Sequence, residues 1–127
     1  MIETKDLSKI YNPGKFEVRA VDNVTCKFAE GEFTAVVGPS GSGKTTIIDI
    51  IVGLFKPHSG SVVVFGQRLE NQDLQTWRAR IGYVQQEPVF FNASIRENIC
   101  VGRDNLSDEA VLNACRLSMV TDFIPQG

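Results

Sequence analysis

At 127 residues, 43% hydrophobic and 22% charged, the chain has the length and composition of one soluble globular domain. A net charge of −2 leaves no electrostatic footprint for nucleic acid or for an acidic membrane surface. The longest apolar stretch, 47–55, is interrupted by Asp49 and Gly53 and is far too short to span a membrane. Met1 is followed at once by polar, strand-like sequence instead of a signal peptide, so a cytoplasmic protein is expected. Cys26, Cys100 and Cys115 lack metal-ligand spacing and are expected as reduced thiols packed like small hydrophobes. His58 sits in turn composition and is expected as a solvated loop residue.

Residues 2–11 and 18–28 are strand-like, joined through Asn12-Pro13-Gly14-Lys15, whose central Pro-Gly suits a type II turn and hence a hairpin. Phe33-Thr34-Ala35-Val36-Val37 reads as a short buried strand. It runs into Gly38-Pro39-Ser40-Gly41-Ser42-Gly43-Lys44-Thr45-Thr46, which fits G-x-x-x-x-G-K-[ST] without a gap. Glycines there let the backbone curl so that successive N–H groups face phosphate oxygens. Lys44 is expected to reach the β- and γ-phosphates, and the Thr45 hydroxyl to sit on Mg²⁺. Ile47, Ile48, Ile50, Ile51, Val52 and Leu54 then form a run apolar on most faces, as a buried helix should be. Its positive N-terminal end would point at the same anion. A flexible Gly/Ser linker would not be flanked by such core segments.

Further on, Pro57 and Gly60 mark a turn before a β-branched strand at 61–65, which Gly66 ends. Asp73 is placed to cap a short helix carrying Leu74 and Trp77 on one face. Residues 80–85 read as a strand with Ile81 and Val84 as core candidates. Ser94-Ile95-Arg96-Glu97 is a capping-box pattern. Ser107 caps a longer helix, with Val111, Ala114, Cys115 and Met119 on one face and Leu106 stapling Val111. This order predicts an α/β class with mixed sheets.

On these residues the chain resembles the nucleotide-binding domain of ABC transporters, over essentially its whole length. Tyr11, in Leu7-Ser8-Lys9-Ile10-Tyr11, matches the aromatic that stacks on adenine in that family, a contact that needs only an aromatic face. Residues 53–62 are similar to the family's G-L-x-x-P-x-x-G-x-[IV] stretch. Ile81-Gly82-Tyr83-Val84-Gln85-Gln86-Glu87-Pro88 looks like its glutamine loop. Aligned on the following Glu-Pro, the glutamine that touches Mg²⁺ and the attacking water is Gln86, with Gln85 as its neighbouring alternative. Residues 90–99 are similar to the F-x-x-[ST]-I-x-E-N-I segment of exporter-type domains, which faces the intracellular ends of transmembrane helices; a capped surface helix would read the same way.

The resemblance implies a P-loop NTPase core of α/β class with an N-terminal antiparallel β region (1–32), the P-loop core (33–86) and the start of a helical subdomain (87–127). It implies ATP and Mg²⁺ held by Tyr11, Gly38, Pro39, Ser40, Gly41, Ser42, Gly43, Lys44, Thr45, Thr46 and Gln86. Among these, Lys44 and Gln86 would act in catalysis, and Thr45 and Gln86 would hold the metal. A transmembrane domain or subunit and a second ABC domain, arranged head to tail, are the implied partners, and nucleic acid is not. The setting would be cytoplasmic, at the inner face of a membrane. The sequence contains no aspartate after four apolar residues, no L-S-G-G-Q signature and no switch histidine; Asp49 lies inside the phosphate-loop helix and His58 in another segment. The expectation is therefore an N-terminal half that holds nucleotide but lacks the acids for hydrolysis, poorly stable by itself because sheet edges and apolar faces stay open. A truncated, binding-only chain and a non-transport ABC ATPase are the alternatives. A GTPase lacks its N-K-x-D motif here, and a small kinase lacks an arginine-rich lid.

Overall fold

Strand-forming residues at both ends of the first turn pair as a long antiparallel hairpin, β1 (Ile2–Tyr11) with β2 (Val18–Phe28), from Ile2↔Phe28 to Tyr11↔Val18, with register shifts between Thr4 and Ile10. The computed structural model describes residues 1–14, 16–103 and 105–123. Lys15 of the turn and the tail at 124–127 lie outside the described residues. Gly14 takes φ +116, the left-handed side that the Pro-Gly turn needs. Two compact units are present, Met1–Tyr83 and Val84–Gly127.

In the first unit β3 (Ser59–Val64) pairs antiparallel with β1, and the short β4 (Gln67–Arg68) pairs with β3, giving the order β2-β1-β3-β4. Gly60 is required where β3 meets an irregularity of β1: at φ +80, a Cβ there would lie 2.3 Å from the Asp6 carbonyl oxygen. The helix α1 (Lys44–Val52) covers the sheet with Ile47, Ile50 and Ile51, which meet Leu7, Val62, Val64, Leu69 and Trp77 in one apolar cluster. Each fully buried aliphatic side chain there contributes about 1.5–3 kcal/mol relative to exposure.

The C-terminal carbonyls of α1 are nearly all accounted for. Gly53, at φ +80, donates its N–H to Ile50 and Leu54 donates to Asp49, a Schellman arrangement. The Ile51 carbonyl accepts from the indole Nε1–H of buried Trp77 at 2.9 Å. Trp77 is carried by α2 (Leu74–Arg78), which Asp73 caps by accepting from the N–H groups of Gln75 and Thr76. The Thr76 hydroxyl, then these N–H groups, hold the Asp73 carboxyl below its ordinary pKa. Trp77→Phe keeps an aromatic ring but orphans the Ile51 carbonyl, so chemical denaturation should register a loss of about 1–3 kcal/mol. A further tie runs from Tyr83 Oη, which donates to Asp49 Oδ1 of α1 at 2.8 Å; that hydrogen bond to a carboxylate holds the phenol above its ordinary pKa.

The second unit carries α3 (Ile95–Ile99) and α4 (Asp108–Leu117). The capping box expected at Ser94 is present in full: Ser94 Oγ accepts from the Glu97 N–H, and Glu97 Oε2 accepts from the Ser94 N–H at 2.8 Å. The Ser94 hydroxyl, then its N–H, keep the Glu97 carboxyl below its ordinary pKa. A carboxylate depressed in the fold stabilises it above the unfolded pKa, and that contribution is lost as pH falls through the folded one. The protection factors of the α3 amides, exchange rates corrected for their intrinsic pH dependence, should therefore be flat near neutrality and fall in acid, and Glu97→Gln should remove the acid step. Asn98 holds the preceding loop, accepting from the Phe91 N–H at 2.7 Å and donating to the carbonyls of Phe91, Ala93 and Ser94. Arg96 pairs at 2.6 Å with Asp108, the first residue of α4.

Several expectations are corrected. Residues 33–37 form no strand, and Phe33 and Val37 are 96% and 89% exposed; no described strand pairs with them, and β-propensity alone cannot hold a ladder. The sheet is accordingly antiparallel in every described pairing, not mixed. Residues 80–85 also form no strand, Arg80 lying in a turn and 81–85 lacking regular structure; Ile81 packs on the core, but Val84 is 91% exposed. The third strand begins at Ser59, two residues earlier than expected, and Phe65 falls in the following turn. On α4 only Val111 and Cys115 are buried; Ala114 is exposed, and Met119 lies past the helix at φ +59. Cys115 is buried as expected, whereas Cys26 and Cys100 are half-buried; all three are free thiols. Among the described residues no helix is long and apolar enough to cross a membrane.

Candidate phosphate-binding site

The loop at 38–46 curls because two of its glycines take a conformation other residues avoid: Gly41 at φ +79 and Gly43 at φ +86. Gly43 has a second reason to be glycine. A Cβ on it would lie 2.0 Å from the Ala20 carbonyl oxygen of β2, so the loop rests directly on the hairpin backbone. Gly38 closes the other side, where a Cβ would come 2.7 Å from Ser42 Oγ. The Ser42 N–H donates to the Pro39 carbonyl at 3.3 Å, tightening the turn through Ser40 and Gly41.

Lys44 opens α1 and folds back into this curl. Its Nζ donates to the carbonyls of Gly38 and Pro39, each at 2.7 Å, and to Ser42 Oγ at 3.4 Å. The cation thus stands in the concavity of the loop. The first α-helical hydrogen bond runs from Ile47 N–H to the Gly43 carbonyl. Gly43 supplies no side-chain cap, so the N–H groups of Lys44, Thr45 and Thr46 precede the ladder without intrahelical partners. No acidic residue occupies the first turn to compete for that positive end. Thr45 is exposed there, and Thr46 is half-buried. Among the described residues no group of three or more His, Cys, Asp or Glu side chains is placed to hold a metal by itself.

Tyr11 ends β1 opposite Val18, two residues from the Ala20 carbonyl that touches Gly43. The hairpin therefore brings Tyr11 and the loop to the same end of the first unit. Tyr11 meets Phe55 edge to face with ring centroids 6.4 Å apart. Gln86 is exposed, in a bend at the start of the second unit, and Gln85 beside it is exposed as well. Sequence reasoning missed the seat of Gly43 on Ala20, the Lys9–Tyr11–Phe55 group and the Tyr83–Asp49 tie. Only the first had a signal, since glycine before the lysine of the motif invites a close approach.

A glycine loop wrapped on a lysine at the head of a helix that packs on the core has the shape of the P-loop class. The family model described as ABC transporter matches residues 21–125, and the chain belongs to that family. It is 39% identical over 123 residues to an uncharacterized ABC transporter ATP-binding protein of Sinorhizobium fredii, covering 97% of this chain and 20% of that protein. It is 41% identical over 124 residues to the chloroplastic ABC transporter B family member 26 of Arabidopsis thaliana, covering 97% of this chain and 18% of the relative. Among solved structures it superposes on a bacterial Atm1-family ABC exporter with ATP bound at a TM-score of 0.87 and 30% identity, covering 99% of this chain and 22% of the exporter. A dimeric ATP-binding cassette bound to ADP and phosphate gives a TM-score of 0.80 at 29% identity, covering 99% of this chain and 59% of the cassette. The chain thus spans a fifth or less of the length of these curated relatives, 20% of the first and 18% of the second. Its fold is part of the α/β NTPase core of an ABC cassette.

Proposed function

We propose that this chain binds ATP with Mg²⁺ as the nucleotide-holding part of an ABC cassette that energises export. The observation that carries the reading is the Lys44 ammonium, held by the Gly38 and Pro39 carbonyls in a glycine curl that opens onto free helix N–H groups. That concavity fits a polyphosphate: the Lys44 ammonium and uncapped donors converge where anionic oxygens would lie. On nucleotide binding Lys44 exchanges loop carbonyls for phosphate oxygens. The backbone N–H groups of Gly41, Ser42, Gly43, Lys44, Thr45 and Thr46, with Ser40 and Pro39 shaping the turn, line the cradle. Thr45 supplies a hydroxyl for Mg²⁺, and Tyr11 a face for the adenine. Gln86, and not Gln85, is assigned to the metal by likeness to the family's glutamine loop. Mg²⁺ would neutralise charge on the phosphates and orient them.

Lys44 and Gln86 are the residues of this chain given a part in hydrolysis, which in this family also needs acids that the present sequence does not contain. The proposed division is a β region at 1–32, a P-loop core at 33–86 and the start of a helical subdomain at 87–127. The partners are a transmembrane domain or subunit and a second ABC domain meeting this one head to tail, at the cytoplasmic face of a membrane. Exposed Phe90 and Phe91, on the loop that Asn98 organises, support the first of these. Calorimetric titration with ATP tests the reading. Saturable binding that weakens without Mg²⁺ and weakens again on Lys44→Ala is expected; binding indifferent to both would overturn it.

A further inference from the structure

Lys9 and Tyr11 are two positions apart on β1, across an irregularity of its ladder with β2, and their side chains meet. The Lys9 ammonium lies over the Tyr11 ring, 5.4 Å from its centroid, and over the Phe55 ring at 5.6 Å. Those rings are perpendicular, so a cation above both faces occupies the inside corner between them. A third contact closes the corner, where Nζ donates to the Lys56 carbonyl at 2.7 Å. The opposite face of Tyr11 carries none of these contacts. An ammonium on one face of an aromatic ring excludes a flat ligand from that side and draws on the ring's π density. The far face becomes the better surface for an electron-rich partner.

We propose that Lys9 is a specificity-determining residue of the base site: it closes one face of Tyr11 and makes the other the stacking surface for a purine. The inference rests on the reading of Tyr11 as the base-stacking residue. A lysine elsewhere on the strand would add only a diffuse positive charge, which acts on phosphates as much as on a base. The two effects are separable by comparing a ligand with a base to one without.

The test is titration of the full chain with MgATP and with magnesium tripolyphosphate. Lys9→Met is expected to raise the Kd for MgATP about two- to fivefold and to leave that for tripolyphosphate unchanged, while Lys9→Arg restores wild-type binding. An unchanged or lower Kd for MgATP, or an equal shift for both ligands, would overturn the proposal. Tyr11→Leu separates the two readings. If it leaves the ratio of the two affinities unaltered, the base assignment falls and Lys9 with it. If it weakens MgATP alone while Lys9→Met does not, only the role of Lys9 falls. Should Lys9→Met not fold, Lys9→Gln makes the same comparison.

Discussion

Lys44→Ala should weaken MgATP binding by about 10- to 150-fold while leaving the unfolding midpoint of the chain in place. A hydrogen bond to a charged group is worth about 1.5–3 kcal/mol, and the substitution removes the one cation that stands inside the loop. The fold loses little, because each partner of Nζ is a loop atom in an exposed setting and none belongs to the apolar cluster. Stability and binding should therefore separate. Parallel calorimetry and thermal melts check this, and equal affinities for the two proteins would refute the assignment of the site. Lys44→Arg is a stricter companion: it keeps the charge but places a larger planar fork in a curl sized for a compact ammonium. It should fall between wild type and alanine.

Gly43→Ala should cost about 3–5 kcal/mol of stability and abolish measurable nucleotide binding, whereas Gly41→Ala should cost about 1–2 kcal/mol. Both glycines have positive φ, so both substitutions carry the left-handed penalty. They differ in surroundings. Nothing lies within 4 Å of a Cβ built on Gly41, but one on Gly43 meets the Ala20 carbonyl oxygen at 2.0 Å, its carbon at 3.1 Å and Val21 Cγ2 at 3.5 Å. Backbone on both sides cannot swing away as a flexible side chain would. The head of α1 must lift from β2, and the loop loses its seat with it. Even against the stability of a complete domain, about 5–15 kcal/mol, such a loss is large. Urea denaturation of the two variants measures the difference; matching midpoints would show that the close approach does not constrain the fold.

Features that depend on neighbours along the chain are legible in the sequence. Ser94 and Glu97 form the capping box their spacing implies, and Asp73 and Ser107 cap the helices they precede. The hairpin of β1 and β2 follows from two strand-like runs around Pro-Gly. Residues 33–37 and 81–85 depart from their local pattern for one shared reason. Their β-branched and aromatic content signals a strand, yet a strand exists only where a second one offers its hydrogen bonds, and among the described residues none does. Ala114 and Met119 show the limit of helical periodicity: the spacing names a face, but burial depends on what packs against it.

The candidate site divides along the same line. By itself the sequence determined the glycine curl around Lys44, since glycines at 38, 41 and 43 followed by Lys44 and Thr45 act through backbone sterics and contacts within a few residues. It also singled out Tyr11, through likeness to the family, as the residue proposed to stack on a base. Only the tertiary structure decided that the loop rests on Ala20, that the hairpin brings Tyr11 to the loop's end of the unit, and that Lys9 fills the corner between Tyr11 and Phe55. Those contacts join residues far apart in the chain, as in Ala20 with Gly43 and Tyr11 with Phe55. Their geometry is set by strand register and helix packing, which no local pattern of residues encodes.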